Sequence, residues 1–342
     1  MEGNKEILRW KGFWSVFGGH EPPSATTPRK SIWKKNKTTL WYYPAKKKKF
    51  QTPLFLVYSL VNQPFILDLS PNISLIEAFV DEGYDVYLID FGIPRYEDKD
   101  ITLDNYIVGF IKKGVQKALT HSKAKDITVM GFCLGGTLAA IYTAIATEPI
   151  KNLILTVTPI DFSTVPAYDK WALALRNEKI DFDEFIDTIG LIPANFIEAG
   201  VRLVTAPVYF SHYLSLLNRG YEKHYVDKWI LFNKWTSGHI PFPGATLKQL
   251  VNDLGKHNKL VTGELKINNQ TVDLRNIKSN LLVVASDFDQ LVPKEQTYPI
   301  VELASSEDKK YELLPSGHTG LTAKKGLPIY LKEWLPSRSN PI

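Results

Sequence analysis

The chain has 342 residues, of which 44% are hydrophobic, and it carries a formal net charge of +5. Its length fits one large α/β domain with an insertion better than two small domains. It contains no stretch of about 18 uncharged apolar residues and no basic-then-apolar signal peptide, so we expect a cytoplasmic protein without a transmembrane segment. The mild basicity comes without a nucleic-acid-binding motif, and nucleic acid is therefore not an expected partner.

Residues 1–30 predict an amphipathic N-terminal helix and a linker. Four large apolar residues share one face of the helix predicted at residues 6–17: Ile7, Trp10, Trp14 and Phe17. Two interpretations of this face are open. It packs against its own domain, which is the commoner case, or it contacts a partner subunit or a lipid-like surface. The Pro, Ser and Thr content of residues 21–28 indicates an irregular linker.

The next segment is rich in lysine, at positions Lys34, Lys35, Lys37 and the run from Lys46 to Lys49. Solvated turns between edge strands are the commoner explanation, and contact with phosphates or an anionic surface is the alternative. The charge is compatible with an acidic or phosphorylated substrate.

From residue 54 onward, apolar strands alternate with helices. Strands are predicted at residues 54–61, 84–90, 127–130, 154–158, 280–285 and 310–314, and helices at residues 74–80 and 103–119. Helical stretches of this length between strands imply right-handed crossovers and a mainly parallel sheet with helices on both faces. We assign residues 31–160 and 264–342 to this α/β core.

Residues 126–143, DITVMGFCLGGTLAAIYT, predict a strand, a sharp turn and a helix in immediate succession. This is the pattern of the nucleophile elbow of the α/β-hydrolase fold, with Cys133 in the nucleophile position. Gly131 and Gly135 are needed beside it because a Cβ at either position would clash with the neighbouring strand or helix. The backbone N–H of Leu134, at the N-terminus of the new helix, is placed to bind a developing oxyanion. Cys133 is the only cysteine, which excludes an intramolecular disulfide and suits a reducing compartment.

Between residues 161 and 263 the strand–helix alternation breaks. This segment is rich in aromatic residues and largely helical in pattern, and Pro241-Phe242-Pro243-Gly244 predicts a hard turn. An insertion after the sixth strand of such a sheet is usually a cap that shapes a pocket and excludes water. An ordinary helical subdomain with an aromatic core is the alternative, and both descriptions can hold.

An elbow nucleophile needs a base and a group that orients the base, which in this fold follow in the order nucleophile, acid, histidine. The acid is expected just after the strand at residues 280–285, where Asp289 is our first choice and Asp287 the alternative. The histidine is expected after the last strand, where His318 fits. Isolated residues of these types are most often structural, but three of them at three expected strand ends argue against coincidence. The remaining histidines have no such placement, and we find no metal-binding motif.

A cysteine nucleophile suits a thioester substrate. If His318 takes the proton of Cys133, the thiolate can attack a carbonyl carbon whose oxyanion is held by backbone N–H groups. The acyl-enzyme is then itself a thioester, so the acyl group stays activated for transfer to an alcohol, provided that a cap keeps water away. This chemistry argues for acyl transfer from a coenzyme A thioester. Coenzyme A is then part of the substrate, and we expect no cofactor.

Over nearly its whole length the chain resembles the polyhydroxyalkanoate (PHA) synthases, specifically the PhaC-type catalytic subunits of the short two-component classes III and IV. The motifs that carry the resemblance are the G-x-C-x-G-G box, the Asp289 and Gly317-His318 sites, Pro64-Phe65-Ile66-Leu67-Asp68-Leu69, Tyr87-Leu88-Ile89-Asp90-Phe91-Gly92, Thr158-Pro159-Ile160-Asp161-Phe162, Ile240-Pro241-Phe242-Pro243-Gly244 and Asn258-Lys259-Leu260. Several of these are not general features of α/β hydrolases, so the match is specific.

The resemblance implies polymerisation of an (R)-3-hydroxyacyl-coenzyme A, typically 3-hydroxybutyryl-coenzyme A, into polyester with release of coenzyme A. It implies that Cys133 carries the growing chain and that His318 activates it. Asp289 would activate the 3-hydroxyl of the incoming unit, directly or by way of His318. A second oxyanion N–H is expected near Val61, and Asp68 is expected to support the site.

The resemblance also implies an oligomer at the surface of cytoplasmic polymer granules, with a second, smaller subunit of the PhaE or PhaR kind. Two departures concern substrate range and turnover: Gln290 stands where the family usually has His, and Phe65 where it usually has Tyr. Two other functions stay open. One is a cysteine-dependent hydrolase of thioesters or lactones, and the other is a non-catalytic granule-associated subunit.

Overall fold

The computed structural model describes residues 2–19, 21–163, 182–320 and 326–342. Among these residues one large sheet has eight strands: β1 (Lys30–Lys35), β2 (Thr38–Tyr43), β3 (Leu54–Val57), β4 (Val86–Asp90), β5 (Ile127–Phe132), β6 (Ile150–Thr156), β7 (Asn280–Ser286) and β8 (Lys309–Leu314). Their spatial order is β1-β2-β4-β3-β5-β6-β7-β8. Only the β1–β2 and β2–β4 pairs are antiparallel, so the prediction of a mainly parallel sheet is confirmed.

Helices connect the strands and build the cap. The described α-helices are α1 (Glu2–Ser15), α2 (Leu75–Glu82), α3 (Lys113–Ser122), α4 (Leu134–Ile145), α5 (Asp183–Ile189), α6 (Ala194–Arg219), α7 (Lys223–Thr236), α8 (Gly244–Gln249), α9 (Lys259–Thr262), α10 (Lys294–Thr297), α11 (Pro299–Leu303) and α12 (Ile329–Trp334). The helix predicted at residues 103–119 begins as a π-helical segment, Asn105–Lys112, and continues as α3.

The sheet is buried on both faces. Successive residues of a strand point to opposite sides, and in β3 Phe55 and Val57 belong to one core cluster while Leu54 and Leu56 belong to another. The first cluster includes apolar side chains of α3 and α4, and the second includes those of α2 and α12. This double burial explains why β3 is an unbroken apolar run rather than an alternating one.

One predicted strand is shorter in the structure than in the sequence pattern. Residues 54–61 are apolar enough for a strand throughout, but β3 ends at Val57. Beyond it the chain passes against the elbow, where the carbonyl oxygen of Tyr58 would lie 2.4 Å from a Cβ built on Gly135. Tyr58 and Leu60 are therefore buried as loop residues, and their apolar character reflects burial rather than strand pairing.

The aromatic face of α1 does not pack against its own domain. Its four large residues, Ile7, Trp10, Trp14 and Phe17, are between 49% and 68% exposed. The helix contacts the rest of the chain through Gly12, where a Cβ would lie 1.8 Å from the carbonyl oxygen of Gly220, and through Phe13, which packs against the buried Leu216 and Trp229. The helix therefore packs against its own domain, as the first interpretation expects, but it does so through Gly12 and Phe13 and not through the aromatic face.

The cap is described for residues 182–263, while residues 164–181 of the predicted insertion, including Trp171, lie outside the described residues. Instead of the predicted hard turn at residues 241–244, the strand Phe242–Pro243 pairs with Leu191–Ile192, and α8 begins directly after it. Within the described ranges, no helix is both long and apolar enough to cross a membrane.

Candidate active site

Cys133 lies between β5 and α4 at a backbone angle that most side chains avoid. Every residue of β5 is buried, and Cys133 follows it with φ 50° and ψ −131°. Its backbone N–H donates a hydrogen bond of 3.0 Å to the carbonyl oxygen of Thr156, the last residue of β6. Positive φ at a non-glycine residue costs on the order of 1–3 kcal/mol, so the packing around the turn must hold this conformation.

The glycines of the elbow allow that packing. A Cβ on Gly131 would lie 2.4 Å from the Cα of Gly136, and a Cβ on Gly135 would lie 2.4 Å from the carbonyl oxygen of Tyr58. A Cβ on Gly136 would lie 1.9 Å from Oγ1 of Thr158. The turn has no room for a side chain at any of the three positions, which places α4 close against the sheet and leaves Cys133 at its edge.

Asp289 and His318 come together from the loops that follow β7 and β8. Nδ1 of His318 lies 2.7 Å from Oδ2 of Asp289. The other carboxylate oxygen, Oδ1, accepts the backbone N–H groups of Leu291 and Val292 over 2.9 and 3.0 Å. The Asp289 side chain is fully buried. Asp287, the alternative acid, is exposed and pairs with Lys294 over 2.7 Å. The structure therefore places Asp289, and not Asp287, against the histidine.

The electrostatics of His318 connect this acid to Cys133, because the charges of both residues act on its imidazole. Burial by itself lowers the pKa of His318, but the interactions with Asp289 and Cys133 outweigh burial and raise the pKa well above its ordinary value. The imidazole is thus well suited to accept a proton from the thiol and to keep it.

The two backbone N–H groups expected to bind an oxyanion belong to the first residue of α4 and to the loop after β3. Leu134 is the first residue of α4, so its N–H is one of those with no acceptor inside the helix. Val61 lies in the loop after β3, and its carbonyl oxygen accepts the Ile240 N–H over 3.3 Å, which ties this loop to the cap. Their roles stay predictions.

Three other residues singled out in the sequence have different surroundings. The buried Asp68 accepts hydrogen bonds from the backbone N–H and the hydroxyl of Thr27 over 3.0 and 2.7 Å, so it fastens the N-terminal linker to the core. Phe65 packs at the margin of the core cluster that contains α2 and α12. Gln290 lines a cavity together with His318.

Several residues that sequence reasoning missed hold the site together. Oγ of Ser286 lies 2.9 Å from Oγ of Ser316 and joins the acid loop to the histidine loop. Asn62 is buried and donates to the carbonyl oxygen of Trp235 over 2.6 Å, which fastens the loop after β3 to the cap. These contacts join residues far apart in the chain, and no local sequence pattern predicts them.

A cavity of about 940 Å³, counted with its open mouth, reaches the cluster at His318 and Asp289. One wall comes from the loops after β7 and β8, and the other comes from cap helices α6 and α7 with side chains that include Thr205 and Phe232. In the described part of the chain, no three His, Cys, Asp or Glu side chains cluster in a way that could hold a metal ion.

Comparison with known proteins assigns the class. The family model for the alpha/beta hydrolase fold matches residues 53–322, and the chain belongs to this family. A solved monoacylglycerol lipase from Paleococcus ferrophilus is 14% identical, with a TM-score of 0.52 over 88% of this chain and 99% of that one, which supports the fold alone.

Within that class, the sequence relatives are more particular. The poly(3-hydroxyalkanoate) polymerase subunit PhaC of Haloferax mediterranei is 30% identical over 92% of this chain, which spans 64% of that protein. The subunit of the same name from Thiocystis violacea is 27% identical over 96% of this chain and 94% of its own length. The resemblance to PhaC-type PHA synthases is thereby confirmed.

Proposed function

We propose that this protein polymerises (R)-3-hydroxyacyl-coenzyme A into polyester and releases coenzyme A through a thioester on Cys133. The single observation that supports this most strongly is the hydrogen-bonded pair of Asp289 and His318, which lines a capped cavity and whose imidazole pKa is raised by Cys133 as well as by Asp289. The relatives' names supply the reaction class, and the short-chain 3-hydroxybutyryl thioester is the substrate we expect.

In the first half of the reaction, His318 takes the proton of Cys133 and the thiolate sulfur attacks the thioester carbonyl carbon. The negative oxygen of the tetrahedral intermediate is held by the N–H groups of Leu134 and Val61. The bond to the coenzyme A sulfur then breaks, and the leaving thiolate takes the proton from His318. The acyl group is left on Cys133 as a thioester.

In the second half, the 3-hydroxyl of another hydroxyacyl unit replaces water as the acceptor. Its proton passes to His318 as its oxygen attacks the acyl-cysteine, and the released Cys133 sulfur recovers a proton from the imidazole. Both oxygens of the buried Asp289 carboxylate are occupied, one by His318 and one by two backbone N–H groups. We therefore infer that Asp289 acts on the hydroxyl by way of His318, and not directly.

The cap supports transfer over hydrolysis. A thioester acyl-enzyme is reactive toward water, so polymerisation requires that water be kept from Cys133 while the acceptor hydroxyl approaches. The indole Nε1–H of Trp235 donates to the carbonyl oxygen of Gln63 over 3.1 Å and, with Asn62, fastens the cap to the core beside the elbow.

We further propose a cytoplasmic protein at the polymer granule surface that works in an oligomer with a second, smaller PhaE- or PhaR-like subunit, without a cofactor or metal. The exposed aromatic face of α1 is a candidate for these contacts. It leaves four large side chains uncovered, and such surfaces usually bind a partner or an apolar phase.

The proposal is tested by coenzyme A release from (R)-3-hydroxybutyryl-coenzyme A, measured with a PhaE- or PhaR-type subunit supplied. We expect sedimenting polyester from the wild type, far less polyester from Cys133→Ser, and no polyester from Cys133→Ala. Polymer made in full by Cys133→Ala would overturn the proposal and favour a non-catalytic role for this chain. Soluble 3-hydroxybutyrate as the only product would identify a hydrolase instead.

A further inference from the structure

The cap wall of the cavity carries two histidines that the mechanism does not use. His212 lies on α6 and His239 follows α7, and both line the cavity that His318 reaches. Among the described residues, Nε2 of His212 and Nδ1 of His239 are buried without a hydrogen-bond partner. Buried polar atoms in proteins are nearly always paired, so two unpaired ring nitrogens beside one cavity call for a ligand that pairs with them.

The His212 ring is held in place by aromatic neighbours. It stacks on Trp229 with ring centroids 4.7 Å apart and planes 13° apart, and it meets Phe232 edge-on at 5.3 Å. The Trp229 Nε1–H donates to the backbone carbonyl oxygen of His212 over 3.1 Å. A ring fixed in this way loses little conformational entropy when it binds a ligand.

His239 is held through its backbone. It forms an antiparallel bridge with Asn62, and the next residue, Ile240, donates its N–H to Val61. The position of His239 is thus tied to the loop that follows β3, which also carries an expected oxyanion donor. The charges of Glu198 and Arg202, both on α6, influence the pKa of the His239 ring, and these two residues form an ion pair with each other.

Both imidazoles are uncharged near neutral pH. Burial lowers the pKa of His212 to about 4. Burial also lowers the pKa of His239, an effect that Glu198 opposes and Arg202 reinforces. A neutral imidazole offers one donor and one acceptor nitrogen. The two imidazoles suit neutral amides and hydroxyls, and the guanidinium of Arg202, which also lines the cavity, is paired with Glu198.

We propose that His212 and His239 form a subsite for the amide groups of the pantetheine arm of a coenzyme A thioester. The arm links the reacting sulfur to the nucleotide, and its polar groups are two amides and one hydroxyl. With its carbonyl at Cys133, the arm leaves along the cavity, where methylenes contact aromatic rings and amides pair with the two nitrogens. This inference rests on the proposed function, because it takes a coenzyme A thioester as the substrate.

The test compares two thioesters of (R)-3-hydroxybutyrate, one with coenzyme A and one with ethanethiol, which lacks every amide. We expect His212→Phe and His239→Leu each to raise KM for the coenzyme A thioester about 5–10-fold, the effect of losing one hydrogen bond, with kcat within about twofold. KM for the ethyl thioester should stay the same. His224→Gln, at an exposed position on α7, is the matched control and should change neither value.

Equal KM changes for both thioesters, or no change for either, would overturn the subsite while the proposed function stands. If the wild type turns over neither thioester, the affinity of each protein for S-ethyl-coenzyme A is measured by calorimetry instead, because this ligand binds without reacting. Binding about 5–10-fold weaker in both variants supports the subsite even then, and unchanged binding overturns it. If His212→Phe or His239→Leu has a much lower melting temperature than the wild type, His212→Gln and His239→Gln are measured as well, because their side chains keep a polar atom. We expect the glutamine variants to bind more tightly than the apolar variants and more weakly than the wild type.

Discussion

At the carboxyl edge of the sheet, backbone atoms hold the candidate catalytic groups in place. Cys133 is fixed by a hydrogen bond to Thr156 and by glycines that leave no space for a Cβ, and Asp289 is fixed by two backbone N–H groups. The cap wall is built differently, from ring stacking and from imidazoles with unpaired nitrogens.

This difference in construction suggests a division of roles, with reaction at the sheet edge and substrate recognition in the cap. If Cys133, His318 and Asp289 act as proposed, small displacements at the sheet edge break their alignment, so that region must be rigid. Under the proposed function the cap contacts the substrate away from the reacting carbon, so its side chains should change affinity with less effect on the chemical step. Substitutions at the edge should therefore affect turnover or folding, and substitutions in the cap should affect binding or cap closure.

The largest effect is expected at Asp289. Asp289→Asn removes the negative charge that orients His318 and stabilises its protonated form, and we expect kcat to fall about 10³–10⁴-fold. Asp287→Asn is the matched control, since its exposed pair with Lys294 does not touch the histidine, and its kcat should change less than about twofold. Coenzyme A release at saturating substrate measures both. Similar losses in the two variants would contradict the assignment of the acid.

The elbow should tolerate no added methyl group. In Gly135→Ala the new Cβ meets the Tyr58 carbonyl at 2.4 Å, so we expect a loss of about 3 kcal/mol in the free energy of unfolding. Gly200→Ala in α6 is the control, because a Cβ there meets nothing within 4 Å. That variant should be unchanged or more stable by up to about 1 kcal/mol. Urea unfolding compares them, and equal stabilities would refute the tight packing.

The link between cap and core is expected to depend on Asn62. Asn62→Ala leaves the Gln63 N–H without its partner and removes one of two donors to the Trp235 carbonyl, which keeps the Gly238 N–H, and we expect a loss of about 1–2 kcal/mol in unfolding free energy. Faster hydrolysis of the acyl-enzyme should accompany it as water enters. Ser237→Ala, an exposed cap position, serves as control. An Asn62 variant with normal stability and normal partition between polymer and free acid would show that the link is dispensable.

The raised pKa of His318 predicts a pH dependence of stability. A group whose pKa is higher in the folded state stabilises the fold fully below its unfolded pKa, near 6.5 for histidine, and this contribution is lost as pH rises through the folded pKa. The unfolding free energy of the wild type minus that of His318→Asn should thus be largest at mildly acid pH and shrink toward alkaline pH. Urea titrations at a series of pH values measure it. The opposite slope would mean that burial dominates.

The smallest effects are expected on α1, where two adjacent aromatic residues differ in burial. Phe13→Ala removes packing against Leu216 and Trp229 and should cost about 1–2 kcal/mol, whereas the exposed Trp14→Ala should change stability by less than about 0.5 kcal/mol. Thermal melts of the isolated chain distinguish them. Equal destabilisation would mean that the aromatic face is covered in solution.

The elbow and the order of the acid and histidine loops could be predicted because they depend on local signals. A strand, glycines at fixed offsets and a helix lie within residues 126–143, and Asp289 and His318 each follow a recognisable strand. The end of β3 could not be predicted, because residues 58–61 are as apolar in a buried loop as in a strand. The orientation of α1 could not be predicted either, because an amphipathic pattern identifies an apolar face but does not show what covers it.

By itself, the sequence determined the fold class and the strand ends after which Cys133, Asp289 and His318 lie, because these depend on spacing along the chain. Only the tertiary structure decided that Asp289 rather than Asp287 meets His318, that Asp68 binds the linker, and that His212 and His239 share a cavity with His318. The physical reason is that contacts between residues distant in sequence depend on how the cap and the sheet pack together, and no local pattern encodes that arrangement.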